Sequence, residues 1–257
     1  MAVLGGTQDA SEQSRAVQAF AAAGRRSGVP QAKEIASLPE KVGLPQLPIE
    51  EGGRPVVAIE SESLQPWGFD PAGSFIVCGP PGSGRTTAVR SLLASLRRWK
   101  SDTSFYLVTP RRNSELLSLP YWTRTAVKDD AIKELCTELD GLVEAEHQGL
   151  VVLVLEKLDD LNAPPNQAPL SATVKRLADN DHFVIAEGDP AAFGSNIGIT
   201  GPIKASRSGI CLQPDGMEAM TIFKGNFPTI PKGILPEGRG VLVRRGKGAL
   251  MQVAMPD

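Results

Sequence analysis

At 257 residues, 41% apolar and 22% charged, the chain can bury one large core or two small ones and has the balance of a globular protein. Its net charge of −2 excludes a global electrostatic pull toward DNA or anionic lipid, so a nucleic-acid surface would have to be local. Cys78, Cys136 and Cys211 are odd in number, far apart and set in apolar stretches, which reads as reduced core cysteines. With no C-x-x-C and only two histidines, His147 and His182, a zinc site lacks ligands. No apolar run reaches the roughly 18 residues that span a bilayer, and Met1 to Ala10 lacks the basic and apolar regions of a signal peptide.

In chain order, Ser11 to Arg26 predicts a helix with Val17, Phe20 and Ala21 on one face, stopped by Gly28-Val29-Pro30. Pro39 to Pro48 is too rich in proline for a helix and predicts an extended strap. The expected division is residues 1–50, helix and strap packing on a core, and 51–257, the main domain. Val56 to Ile59 reads as a short strand. From residue 73 the rhythm becomes strand, turn, helix. Ser74 to Cys78 predicts a buried strand, Gly79 to Gly84 a turn, and Thr86 to Trp99 a helix with Val89, Leu92, Leu93 and Leu96 inward. Phe105 to Thr109 is a strand and Pro110 to Asn113 a turn. Asp129 or Asp130 is expected to cap a helix running to Glu146, with Ile132, Leu135, Leu139 and Leu142 inward.

Leu150 to Leu155 is the most apolar strand. Asn162 to Pro169 reads as a loop, Leu170 to Ala178 as a helix, Phe183 to Ala186 and Gly209 to Leu212 as strands. Residues 240–254 form a hairpin about Gly246-Lys247-Gly248. Continuous apolar strands alternating with helices imply an α/β fold with a mainly parallel sheet covered on both faces.

A phosphate cradle asks for a buried strand, a glycine-rich turn whose N–H groups converge, and a helix N-terminus. The run Gly79-Pro80-Pro81-Gly82-Ser83-Gly84-Arg85-Thr86-Thr87 supplies these in order, with the Thr86 hydroxyl placed to ligate Mg²⁺. Arg85 stands where lysine is usual. It keeps the charge on a longer, planar group, which predicts retained but weaker nucleotide binding.

A P-loop ATPase also holds its metal through a carboxylate at a neighbouring strand end, and a second carboxylate orients the attacking water. Glu156, directly after Leu155, fits the first role through water and is the candidate catalytic acid. Lys157 stands where the second would be and cannot serve as a base at neutral pH unless heavily desolvated. Asp159 or Asp160 is an alternative second acid, but both lie a few residues beyond the strand. Slow or absent hydrolysis is the expectation.

The order of these pieces resembles the FtsK/SpoIIIE superfamily of RecA-like motor domains, which includes DNA translocases and the motors of type VII secretion. The resemblance spans about residues 35–256 and rests on Leu38-Pro39-Glu40-Lys41-Val42, Leu64-Gln65-Pro66-Trp67-Gly68, the P-loop, Tyr106 to Arg112, the strand into Glu156, and Pro236-Glu237-Gly238-Arg239-Gly240 with its hairpin. It is most similar to the variant C-terminal domains of actinobacterial-type members. The resemblance implies a RecA-like fold, ATP and Mg²⁺ as ligands, other ATPase domains of the same motor as partners, and a secreted protein or DNA as cargo. It also implies a cytoplasmic domain excised or descended from a larger membrane-anchored protein, making no membrane contact itself. The alternatives are an active DNA-translocating ATPase and a protein-recognition adaptor that has lost its nucleotide.

Further candidates are weighed against bland readings. Arg111, Arg112 and Arg124 are arginine fingers or solvated surface. Arg244, Arg245 and Lys247 are a partner contact or a charged turn. Trp67, Tyr121 and Trp122, read as loop residues, stack on adenine or close the core. His182 reads as structural. Glu187-Gly188-Asp189-Pro190 follows a strand at the end where ligands bind and is a candidate sensor.

Overall fold

The structure is a computed structural model that describes residues 10–26, 37–214, 216–225, 227 and 235–256. The Gly28-Val29-Pro30 stop lies outside them. The chain divides into two units, residues 1–36 and 37–257. The first holds helix α1, Ala10–Arg26, whose Val17 and Phe20 are exposed. The strap belongs with the larger unit. Its Val42, Leu44 and Leu47 are buried against Val56 and Ala254, and Leu44 N–H donates to the Met255 carbonyl.

The larger unit runs β1 (Glu50–Glu51), β2 (Arg54–Glu60), β3 (Pro66–Gly68), β4 (Gly73–Cys78) and α2 (Arg85–Trp99). It continues through β5 (Ser104–Val108), β6 (Trp122–Ala126), α3 (Asp129–Glu144), β7 (Val151–Leu155), α4 (Leu158–Leu161), α5 (Gln167–Asp179) and β8 (Phe183–Gly188). It closes with α6 (Thr200–Ala205), β9 (Gly209–Leu212), α7 (Gly216–Phe223), β10 (Arg239–Arg244) and β11 (Lys247–Val253).

These strands make one sheet, in the order β1-β2-β11-β10-β9-β4-β8-β7-β5-β6, with β3 on β2. From β9 to β6 all pairings are parallel. The hairpin β10–β11 joins antiparallel, carrying β2 beyond it. Because the central parallel strands are mostly apolar, and β7 wholly so, both faces bury. Ile76, Leu153, Leu155 and Val184 face α3 and α5, while Phe75, Val77, Val152 and Val154 face α2. This is a mixed α/β architecture, a mainly parallel sheet covered by helices on both faces, as the strand pattern predicts.

Four local readings are corrected. Asp129 and Asp130 lie inside the first turn of α3 and do not cap it; the N-cap is Lys128, and the helix ends at Glu144. Helix α5 begins at Gln167, within the expected loop, since Pro169 falls in a first turn that needs no N–H from it. The hairpin turns on Arg245-Gly246, both at positive φ (50° and 81°), as a two-residue type I′ turn requires. Gly248 instead pairs with Val243. Trp67 and Trp122 are strand residues, in β3 and β6.

Candidate functional site

The parallel strands β4, β5, β7 and β8 end on the same side of the sheet, so the turns after them meet at its carboxyl edge, where open α/β sheets bind ligands. Residues 79–84 connect β4 to α2. Gly79 is wedged, and a Cβ there would lie 2.5 Å from Ser83 Oγ and 2.8 Å from the Leu212 carbonyl. Gly82 and Gly84 take left-handed φ values of 78° and 92°. Space is open around Gly82, where no atom lies within 4 Å of the Cβ position. Pro81 and Gly82 are exposed, Pro80 and Arg85 to Thr87 half-buried and Ser83 buried. Helix α2 has no acidic residue in its first turn and no side-chain cap from Gly84, so its positive end is not neutralised from within the helix. Glu237, carried in before β10, approaches that end. Its Oε1 is 4.0 Å from where a Gly84 Cβ would stand, and it lines a small cavity with Gly84, Thr87 and Val253.

Glu156 ends β7 as expected. It is 3% exposed, and its Oε2 is a buried oxygen without a hydrogen-bond partner. Ser83 Oγ is a second such atom. An unsatisfied buried acceptor costs on the order of 1–3 kcal/mol; elsewhere among the described residues Asp140 Oδ1, Asn166 Oδ1 and Thr173 Oγ1 share that condition.

Lys157 follows in the left-handed region, φ 58° and ψ 60°. That turn aims its N–H at Glu187 Oε2, 2.9 Å away. Its ammonium is 3.8 Å from Asp159 Oδ2 and 3.9 Å from Asp189 Oδ2. Arg85 does not point freely into the loop. Its Nε is 2.9 Å from Glu187 Oε1, and its Nη1 contacts Asp189 Oδ1 at 3.0 Å as an ion pair outside hydrogen-bond alignment. Burial pushes the Glu187 carboxyl up from the usual range, against the pull of the Lys157 N–H and Arg85, and the Glu156 charge adds to the rise. Partial burial and then the Asp189 charge likewise raise Asp159.

Other candidates fall elsewhere. Arg124 is paired with Glu138 at 2.6 Å and Glu134 at 2.8 Å on α3. Arg111 and Arg112 are exposed in the turn after β5, with Arg111 close enough for its charge to lower Glu187. Trp67 stacks under Arg244. Tyr121 packs on Phe105 and Trp122, under Arg97. Lys247 and Arg245 are exposed at the hairpin turn. Asp160 is exposed on α4. Of the candidate sensor segment, Glu187 and Asp189 do reach the site. Sequence reasoning offered no sign that they grip Arg85, and Glu237 was recognised only as part of a family piece.

Among the described residues, no group of three or more His, Cys, Asp or Glu is arranged to hold a metal ion, and no helix is long and apolar enough to cross a membrane.

No protein-family model and no curated protein matches the sequence. Solved structures do match. The cytoplasmic domain of the type VII secretion ATPase EccC of Thermomonospora curvata superposes with a TM-score of 0.74 at 19% identity, over 98% of this chain and 32% of that one. ATPases 2 and 3 of the same EccC, in complex with a signal sequence peptide, give 0.76 at 20% identity, over 98% and 50%. ATPases 2 and 3 of EssC from Geobacillus thermodenitrificans give 0.70 at 17%, over 96% and 49%. The chain thus has the fold of the ATPase domains of type VII secretion motors, and it spans about a third of the length of the first of these structures.

Proposed function

We propose that this chain is a nucleotide-binding module of an FtsK/SpoIIIE-type translocation or secretion motor, with little or no hydrolysis of its own. The observation that carries the reading is the pairing of a well-formed glycine loop with a substituted acid position. Residues Gly79 to Thr87 have the turn, the open bend at Gly82 and the uncapped helix end that a phosphate requires. The partnerless oxygens of Ser83 and Glu156 fit a bound phosphate and its metal. In this reading Thr86 and, through water, Glu156 hold Mg²⁺, and the loop amides hold ATP. When bound, the metal would neutralise phosphate charge.

What is missing is the base. In this reading Lys157 replaces, in the order of the sequence, the second carboxylate, and its ammonium is engaged by Asp159 and Asp189. General-base catalysis contributes about 10²–10⁴-fold, so its loss favours holding a nucleotide over consuming it. The motor context is supported by the fold likeness, since the similar structures are multi-ATPase proteins. One of them is bound to a signal sequence peptide, which favours protein over DNA as cargo. The near-neutral net charge points the same way. In this reading the module works in the cytoplasm beside other ATPase domains.

Titration of the purified chain with labelled ATP and Mg²⁺, followed by phosphate-release assays with and without DNA, tests the proposal. Binding that Thr86→Ala weakens, with no release, supports it. DNA-stimulated release would favour a translocase, and absence of binding would favour an adaptor.

A further inference from the structure

Two positions depart from the P-loop ATPase pattern, Arg85 and Lys157, and both are bound to the same short segment at the end of β8. Glu187 uses one oxygen for Arg85 Nε, at 2.9 Å, and the other for the Lys157 N–H, at 2.9 Å. Asp189 lies between the two cations, 3.0 Å from the guanidinium and 3.9 Å from the ammonium. Asp159, 3.8 Å from the ammonium, adds a further acid to the group. Arg85 and Glu187 are sheltered, with side-chain exposures of 11% and 6%, while Asp189 and Lys157 are partly exposed. Around the sheltered pair, charge interactions are less screened than at the surface.

We propose that Glu187 and Asp189 are positioning residues that hold the Arg85 side chain against the end of β8, and thereby set how tightly the glycine loop takes a polyphosphate. This inference rests on the nucleotide-binding reading above and adds its regulation. A polyphosphate entering the loop needs a cation for its outer oxygens. The cation at that position is already matched by carboxylates, so the ligand must draw Arg85 away from them or bind without it. Arginine suits such a tether where lysine would not, because its planar fork reaches two acids at once whereas an ammonium is a compact point charge. The strand order is what makes the tether possible. Strand β8 lies between β4, which leads into the loop, and β7, which leads into Lys157, so a segment leaving β8 can touch both.

The test is a double-mutant cycle on the whole chain, read as the Kd of a fluorescent ATP analogue with Mg²⁺. Asp189→Asn removes charge from a partly exposed position, and Glu187→Gln keeps an acceptor for the Lys157 N–H. Each is expected to tighten binding by about tenfold, the effect of roughly one lost charge–charge contact. Arg85→Lys, which cannot span both acids, is expected to tighten it too. In an Arg85→Ala background, Asp189→Asn is expected to change Kd by less than about twofold, because the acid then has no guanidinium to withhold. A merely structural role for Asp189 would shift both backgrounds equally. Thermal melts confirm that each variant is folded. If the wild type binds and Asp189→Asn fails to tighten it, or acts equally in both backgrounds, the tether is refuted while the nucleotide-binding reading stands. If no folded variant binds, that reading falls and the tether falls with it.

Discussion

Arg85 and Lys157 meet one carboxylate: Asp189 Oδ1 is 3.0 Å from the Arg85 guanidinium and its Oδ2 is 3.9 Å from the Lys157 ammonium. As residues in a sequence they are two unrelated departures from a motif. In the fold they are one electrostatic unit, with Glu187 as its buried anchor. Reverting one of them therefore cannot restore a typical site. Lys157→Glu would add another acid beside Glu187, Asp189 and Asp159 while removing a cation, and like charges in a partly sheltered site repel. We expect this variant to remain inactive in phosphate release and to melt at a lower temperature than the wild type, both read directly. A gain of hydrolysis from this single change would contradict the unit.

The loop glycines separate by mechanism. Gly79→Ala pushes a methyl against a backbone carbonyl and a buried hydroxyl, at 2.8 and 2.5 Å. The carbonyl belongs to β9 and cannot swing away, so a loss of about 1–3 kcal/mol is expected. Gly82→Ala has room, but its φ of 78° costs a side chain about 1 kcal/mol. Urea unfolding should rank Gly79→Ala below Gly82→Ala, while nucleotide affinity should suffer at Gly82 as well, since that exposed bend is where a phosphate would approach.

How much of this could be read from the chain depends on the range of the interaction involved. The glycine loop, the helix after it and the apolar strand into Glu156 are written in contiguous residues, and the structure has all three. Strand β6 escaped because Trp122-Thr-Arg-Thr-Ala126 is half polar, as an edge strand can be. The start of α5 was hidden by a proline that a first turn tolerates. The partners of Arg85 were illegible for a different reason. Glu187 and Asp189 lie far along the chain, and only the order β4-β8-β7 brings them to the loop. Nothing in their local sequence announces a cation.

Phe183 shows how the main core is keyed. It is fully buried at the start of β8, with ring centroids 5.7 Å from Phe69 and 5.9 Å from Phe75. Phe183→Ala removes one of three mutually packed rings, Phe69 and Phe75 being 5.6 Å apart, and leaves a cavity under α2. We expect a loss of about 3–5 kcal/mol in denaturant unfolding, larger than for Ala at either edge strand. Phe183→Leu, which fills more of the space, should recover part of it.

The strap, tied to Met255 through backbone hydrogen bonds and to Arg239 through the Leu38 and Pro39 carbonyls, is also gripped by Arg98 of α2. Arg98 donates from Nη1 to the Leu44 carbonyl at 2.6 Å and from Nη2 to the Leu47 carbonyl at 3.0 Å. Hydrogen bonds from charged groups contribute about 1.5–3 kcal/mol each, and a lysine could serve only one acceptor well. Arg98→Ala is therefore expected to speed proteolytic cleavage within residues 37–50 with little change in cleavage elsewhere, and Arg98→Lys to fall between it and the wild type. Uniform acceleration across the chain would mean the strap has no separate anchorage.

His182 provides a pH dependence whose sign can be fixed. It is buried beside the start of β7, where its Nδ1 accepts from the Val151 N–H at 3.4 Å, so the folded state wants the ring neutral. Burial first, and then the nearby His147, lower its pKa below the ordinary value, with Asp181 opposing. The unfolded chain then takes up this proton first, at about pH 6.5. Stability contributed by the neutral ring is fully present above that value and is lost as pH falls toward the lowered folded pKa. In His182→Gln the titration is gone. The stability advantage of wild type over this variant, measured by urea unfolding, should therefore shrink between about pH 7.5 and about pH 5.5. Contributions from the raised carboxyls of Glu187 and Asp159 run the other way but cancel in the difference, because both proteins carry them. An advantage that stays constant across that range would show that His182 is not the group whose charging the fold resists.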